Sequence, residues 1–191
     1  MTRSRQTADW GSRAGLAKIV PTSVAVGSGT GSADSLGNVT FSGASSVSLN
    51  GCFTSTYDNY KILISSSSSA GGSFNMRLRV SGSDNTSSDY NFQRIYAQSG
   101  TVGGVRQNAF SYFEIGYLTT NIYNSYSIEM FSPFETKTTS GNSIVVQNSS
   151  SDPNYDSYVY GTDVTTSYTG FTMYPASGTI TGTIRVYGYS Q

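Results

Sequence analysis

The chain has no histidine among its 191 residues. That absence removes the Ser–His and Cys–His nucleophilic systems, together with the commonest transition-metal ligand. What remains for acid–base chemistry is paired carboxylates, as used in glycoside hydrolysis. Eleven Asp and Glu are available, and most stand in turn-like contexts such as "SGSDNTSSDY" and "SSSDPNYDS", where a short carboxylate serves the backbone through Asx-turn hydrogen bonds. Glu114 and Glu129 differ, because each falls in a strand-like segment, "SYFEIGYL" and "YSIEMF". A hairpin between those segments would bring the two carboxylates together. Solvated glutamates on an outward face are the simpler reading, and an acid/base pair is the alternative.

Asp152, Asn154 and Asp156 alternate like the opening ligands of an EF-hand loop. Position six is Ser157 instead of Gly, and position twelve is Asp163 instead of Glu. A polar turn around Asp152 and Pro153 is therefore expected ahead of a calcium site. Asp84, Asn85 and Asp89 form a poorer set of the same kind. The single cysteine, Cys52, excludes an internal disulfide and is expected as a small buried hydrophobe beside Phe53. Nothing in the sequence calls for a cofactor. Tyr155, Tyr158, Tyr160, Tyr168, Tyr174, Tyr187 and Tyr189 crowd the C-terminal part. Each offers flat apolar area with a hydrogen-bonding tip, suited to a core, a subunit interface or sugar stacking.

These residues must be positioned by a chain with 12% charged residues, about half the usual share. Ser, Thr and Asn make up about a third of it. Aromatics at 13% supply the large side chains that disordered segments lack. Net charge is zero and the cations form no stripe, so no nucleic-acid partner is expected. No apolar run reaches the roughly 20 residues of a membrane span, and no apolar core of a signal peptide precedes the body. Synthesis and assembly in a cytoplasm is the expectation.

From Asn38 onward the apolar period is two, as in Tyr60, Ile62 and Ile64, in Met76, Leu78 and Val80, and in Tyr126, Ile128 and Met130. With "NVTF", "SVSL", "YNFQRIYA", "SYFEIGYL", "SIVVQ", "SYVYG", "GFTMY" and "TIRVYGY", about eleven short strands are predicted. The fold class is all-β, an antiparallel β-sandwich of jelly-roll type. The run Ser65–Ser69 reads as a mobile loop. Residues 1–26 read as an extended N-terminal arm, 27–37 as a Gly/Ser-rich hinge and 38–191 as the sandwich body. Arg3, Arg5, Arg13 and Lys18 against Asp9 leave the first twenty residues at +3. The arm also carries the sole tryptophan, Trp10.

The opening "RSRQTADWGSRAGLAKIVPTSVAVGSGTGSADSLGNVTFSGASSVSLNGCF", then "YDNYKILI", "LRVSGSDNTSSDYNFQ" and the terminal "TIRVYGYSQ" are similar to segments of small β-rich structural proteins of tailed bacteriophages. Those of marine and cyanobacterial phages, of decoration or fibre-like kind, are the nearest in style. The resemblance covers most of the chain but transfers no catalytic or binding residue. It implies a place in the virion, a β-rich body and self-association, with a homotrimer favoured. The expected function is a non-enzymatic capsid decoration or cement protein. Its arm would dock on the major capsid protein or another virion protein through Arg3, Arg5, Trp10, Arg13, Leu16, Ile19 and Val20. The alternatives are a tail or fibre component that binds a host-surface glycan, a polysaccharide-active enzyme using Glu114 and Glu129, and a free lectin-like module. Neither heptads nor a fixed-period repeat supplies a fibre shaft, which favours decoration.

Overall fold

The structure, a computed structural model, describes residues 15–98, 100–148 and 153–189. These residues form strands and turns and no helix. The first three strands fall where arm and hinge were expected: β1 (Leu16–Ile19), β2 (Ser23–Val26) and β3 (Thr30–Ala33). The boundaries 1–26, 27–37 and 38–191 are therefore corrected, because residues 16–33 belong to the sandwich. Four-residue strands are too short to show a period, and the glycines of the supposed linker are turn residues. Gly29 has φ 69°, and a Cβ there would meet the Ser42 carbonyl oxygen at 2.1 Å.

Eight strands make the frame. They are β4 (Val39–Ala44), β5 (Val47–Asn50), β6 (Asn59–Ser68), β7 (Gly72–Val80), β11 (Phe113–Leu118), β12 (Asn124–Phe131), β15 (Gly170–Pro175) and β16 (Ile180–Tyr189). One sheet runs β4-β16-β6-β12 and the other β5-β15-β7-β11, with antiparallel neighbours throughout. Numbered one to eight along the chain, the frame strands read 1-8-3-6 in one sheet over 2-7-4-5 in the other. This is the double Greek key of a jelly roll, the sandwich type that the number of predicted strands suggested. All eleven sequence-predicted strands are present.

Two insertions complete the body. β8 (Ser83–Asp84), β9 (Tyr90–Gln98) and β10 (Thr101–Phe110) lie between β7 and β11, and β13 (Ser140–Asn148) and β14 (Pro153–Thr162) lie between β12 and β15. Four of these strands pair as β12-β13-β14-β9-β10 and extend the first sheet into a wing. β10 escaped the sequence reading because Gly103 and Gly104 interrupt its alternation. The serine run is likewise strand and not loop, since β6 continues through Ser68 and pairs with β12 and β16. There backbone pairing on both sides outweighs the weak strand propensity of serine.

The core is aromatic. Phe53, Tyr60, Phe74, Tyr90, Phe113, Tyr126, Tyr158 and Phe171 are buried between the sheets. Phe113 stacks on Tyr160 at 4.7 Å, and Tyr90 meets Phe113 edge-on at 4.7 Å. Cys52 is buried, and burial pushes its thiol up to about 12, so it is an inert packing residue as expected. Where three central strands converge, Gly182 of β16 lies opposite Ser66 of β6, and an added Cβ would sit 2.1 Å from the Ser65 carbonyl oxygen. Backbone cannot yield as a flexible side chain does. Gly182→Ala is expected to cost about 2–3 kcal/mol, read as a lower urea midpoint with an unchanged slope.

Candidate functional site

The wing extends beyond the edge of the smaller sheet, so its two faces meet different surroundings. On the inner face, Arg94 of β9 reaches Asp156 of β14, with Nη2 donating to Oδ1 at 2.9 Å and Nε to the same oxygen at 3.2 Å. Gln147 of β13 donates to the other carboxylate oxygen at 2.9 Å. Asp156 is fully buried. Burial raises its pKa, and the Arg94 guanidinium pulls it back. Three tyrosine rings enclose that guanidinium, Tyr96 at 4.7 Å, Tyr117 at 5.7 Å and Tyr158 at 5.8 Å. Such a pair orders side chains without adding much stability, because desolvation offsets most of the attraction.

Strand β11 is bound down onto this inner face. Ser143 donates to the Ile115 carbonyl at 2.9 Å, while Tyr126 and Gln147 donate to the Tyr117 carbonyl at 2.8 and 3.3 Å. Tyr158 donates to Glu114, which also accepts from Ser73 at 2.7 Å. Glu114 is thus a structural acceptor between the sheets. Glu129 lies elsewhere, paired with Lys61 at 2.6 Å and accepting from the Tyr189 hydroxyl. The hairpin that would join the two glutamates does not form, because β11 and β12 belong to different sheets. No acid/base pair results.

The outer face of the wing is open. Alternation along the strands places Ile95, Val102, Ile144, Val146, Tyr155 and Val159 there, all exposed: Val102 by 74%, Val146 by 56%, Val159 by 55% and Ile95 by 54%. Arg106 is the only charged side chain that the described wing strands place on this face. A shallow groove of about 320 Å³ continues the surface onto the frame, between Ile144 and Val146 on one side and Leu63 and Arg185 on the other, over Ser125 and Ser127. A second groove of about 280 Å³ is of mixed character, with Asn91, Gln93, Arg106 and Asn108 beside Val159 and Tyr160. Single exposed apolar residues are ordinary, but a contiguous uncharged set of this kind marks an interaction surface.

The sequence candidates fare as follows. Of the set Asp152, Asn154 and Asp156, the first lies outside the described residues, and the other two stand in β14 instead of a loop. Both oxygens of Asp156 are engaged by Arg94 and Gln147, so the calcium-like spacing is corrected to a strand. Of the polar turn expected around Asp152 and Pro153, Asp152 lies outside the described residues and Pro153 opens β14. Asp84 pairs with Arg79, and Asn85 donates to Asp89 and Tyr168. No group of three metal-ligating side chains occurs among the described residues. Arg3, Arg5, Trp10 and Arg13 lie outside the described residues. Leu16 and Ile19 belong to β1, which pairs with β16, and Val20 follows them, exposed. Tyr158, Tyr160 and Tyr168 are core, whereas Tyr155 is on the open wing face. The wing itself was missed, although "IVV" and "YVY" signal strands; which of their faces would lack a partner is not written in a single strand.

Removing one member of a buried pair strands the other. Arg94→Met is expected to cost about 3 kcal/mol, and the double change Arg94→Met with Asp156→Leu considerably less, in urea unfolding at neutral pH. No known family model matches this chain, and no curated protein or solved structure matches it.

Proposed function

We propose that this chain is a non-enzymatic structural protein of a tailed-phage virion, a capsid decoration protein that docks through its N-terminal residues and associates with copies of itself. The observation that carries the assembly role is the outer face of the wing, an apolar and nearly uncharged sheet surface on an otherwise hydroxyl-rich molecule. Jelly rolls serve in viral capsid and lectin domains alike, so fold supports this reading only by analogy. The virion placement comes from the sequence resemblance, and absence of histidine together with separated glutamates supports the non-enzymatic part. A tail component that binds a host-surface glycan is the second reading. It is favoured by the mixed groove in which the amides and guanidinium of Asn91, Gln93, Arg106 and Asn108 suit sugar hydroxyls, beside apolar Val159 and Tyr160.

Because β1 is part of the body, the docking segment to be removed is 1–14 and not 1–20. Deletion of residues 1–14 is expected to leave the unfolding transition within about 0.5 kcal/mol and to abolish incorporation into particles lacking the protein. Normal loading of the shortened chain would reject docking through this segment, and selective binding on a glycan array would favour the tail reading.

A further inference from the structure

A sheet edge is a row of unpaired N–H and C=O groups, and folded proteins shorten, charge, bend or cover such edges. This fold does so nearly everywhere. β1, β2 and β3 have four residues each and β8 has two. β11 has six, and the carbonyls of Ile115 and Tyr117 on it are taken by Ser143, Tyr126 and Gln147. β10 is the exception. It has ten residues, pairs with β9 alone among the described strands, and contains no proline and one charge, Arg106. Its bulge is confined to Gln107–Phe110, which leaves Thr101–Gln107 regular.

We propose that β10 pairs antiparallel with β10 of a second copy of this chain about a two-fold axis, joining two wings into one continuous sheet. The inference rests on reading the wing as an assembly surface, and it names the partner. An antiparallel strand is its own complement, so an isologous contact satisfies the whole edge with no other molecule. Electrostatics agrees, since a strand with a single positive charge offers little to a strongly charged partner. Centring the axis on Gly104 sets Arg106 opposite Val102 of the second copy and keeps the two guanidinium groups about four residues, or about 14 Å, apart along the strands, beyond the screening length at physiological salt. Val102 and Ile95 then continue the apolar face across the seam. The result is a dimer, not the trimer that the sequence resemblance implies.

The test uses the full chain. Light scattering is expected to give twice the chain mass for the wild type. A folded monomer that unfolds in one cooperative transition is expected for Val102→Lys combined with Val105→Lys, both exposed positions. Single cysteines at Val102, Gly104 and Arg106, under mild oxidation, should cross-link most at Gly104. Buried Cys52, its thiol pushed up to about 12, does not compete. A monomeric wild type would overturn the pairing, as would any oligomer, trimer included, that the two lysines leave intact or that none of these cysteines cross-links. A dimer that never appears on particles would uphold the pairing and reject only the virion placement.

Discussion

The two sheets are held in register by tyrosines long enough to cross the gap between them and still end in a hydrogen bond. Tyr90 on β9 accepts from the Leu78 amide of β7 and donates to the Asn85 carbonyl. Tyr126 on β12 and Tyr158 on β14 reach β11, one at the Tyr117 carbonyl and the other at Glu114. Each ring contributes apolar area to the core, and each hydroxyl avoids the cost of an unmade hydrogen bond in a dry interior. Burial raises the pKa of all three phenols, so they remain neutral donors at any physiological pH. This is how a chain with so few charges can order a large interior.

Much else follows from that bridging. Since Tyr126, Tyr158, Ser143 and Gln147 all act on β11, the edge of the smaller sheet is closed by side chains of the larger one. The wing can then extend past that edge with its inner polar groups satisfied, Arg94 and Asp156 among them. Its outer face has no such cover. One sheet is thus protected at its edge and the other is left with a long open strand and an apolar face. The asymmetry comes from two insertions into a symmetrical frame, one before β11 and one after β12. Neither insertion would form a stable sheet alone. Paired with each other and anchored on β12, they are continuous with the core.

Separation of the two glutamates follows from the same topology. Adjacent strands in sequence usually pair, and a hairpin between "SYFEIGYL" and "YSIEMF" was the condition on which an acid/base pair depended. In this jelly roll every consecutive pair of frame strands except β7 and β11 crosses from one sheet to the other, and β11 and β12 do so. Glu114 becomes an acceptor for Tyr158 and Ser73, and Glu129 an ion-pair partner of Lys61. Asp156, which in the linear sequence stands among turn formers, is instead buried on an interior strand of the larger sheet, opposite Tyr96 on β9.

Local patterning determined a good deal. Alternation along Tyr60–Ile64, Met76–Val80 and Tyr126–Met130 specifies strands with one buried face, because a side-chain period of two leaves no other arrangement. The missing histidine and lone cysteine likewise bounded the chemistry before any geometry was known. The short N-terminal strands and the glycine-broken β10 were not legible. β1, β2, β3 and β10 are strands because neighbours offer hydrogen-bonding partners, and those neighbours are distant in sequence. Nor could the chain by itself say which face of a strand would be left open. Ile144 and Val146 carry the same apolar chemistry as Ile62 and Ile64, yet one pair lies on the outer side of the wing and the other inside the sandwich. That choice belongs to tertiary structure, since burial depends on which sheet packs above a strand and how far that sheet extends.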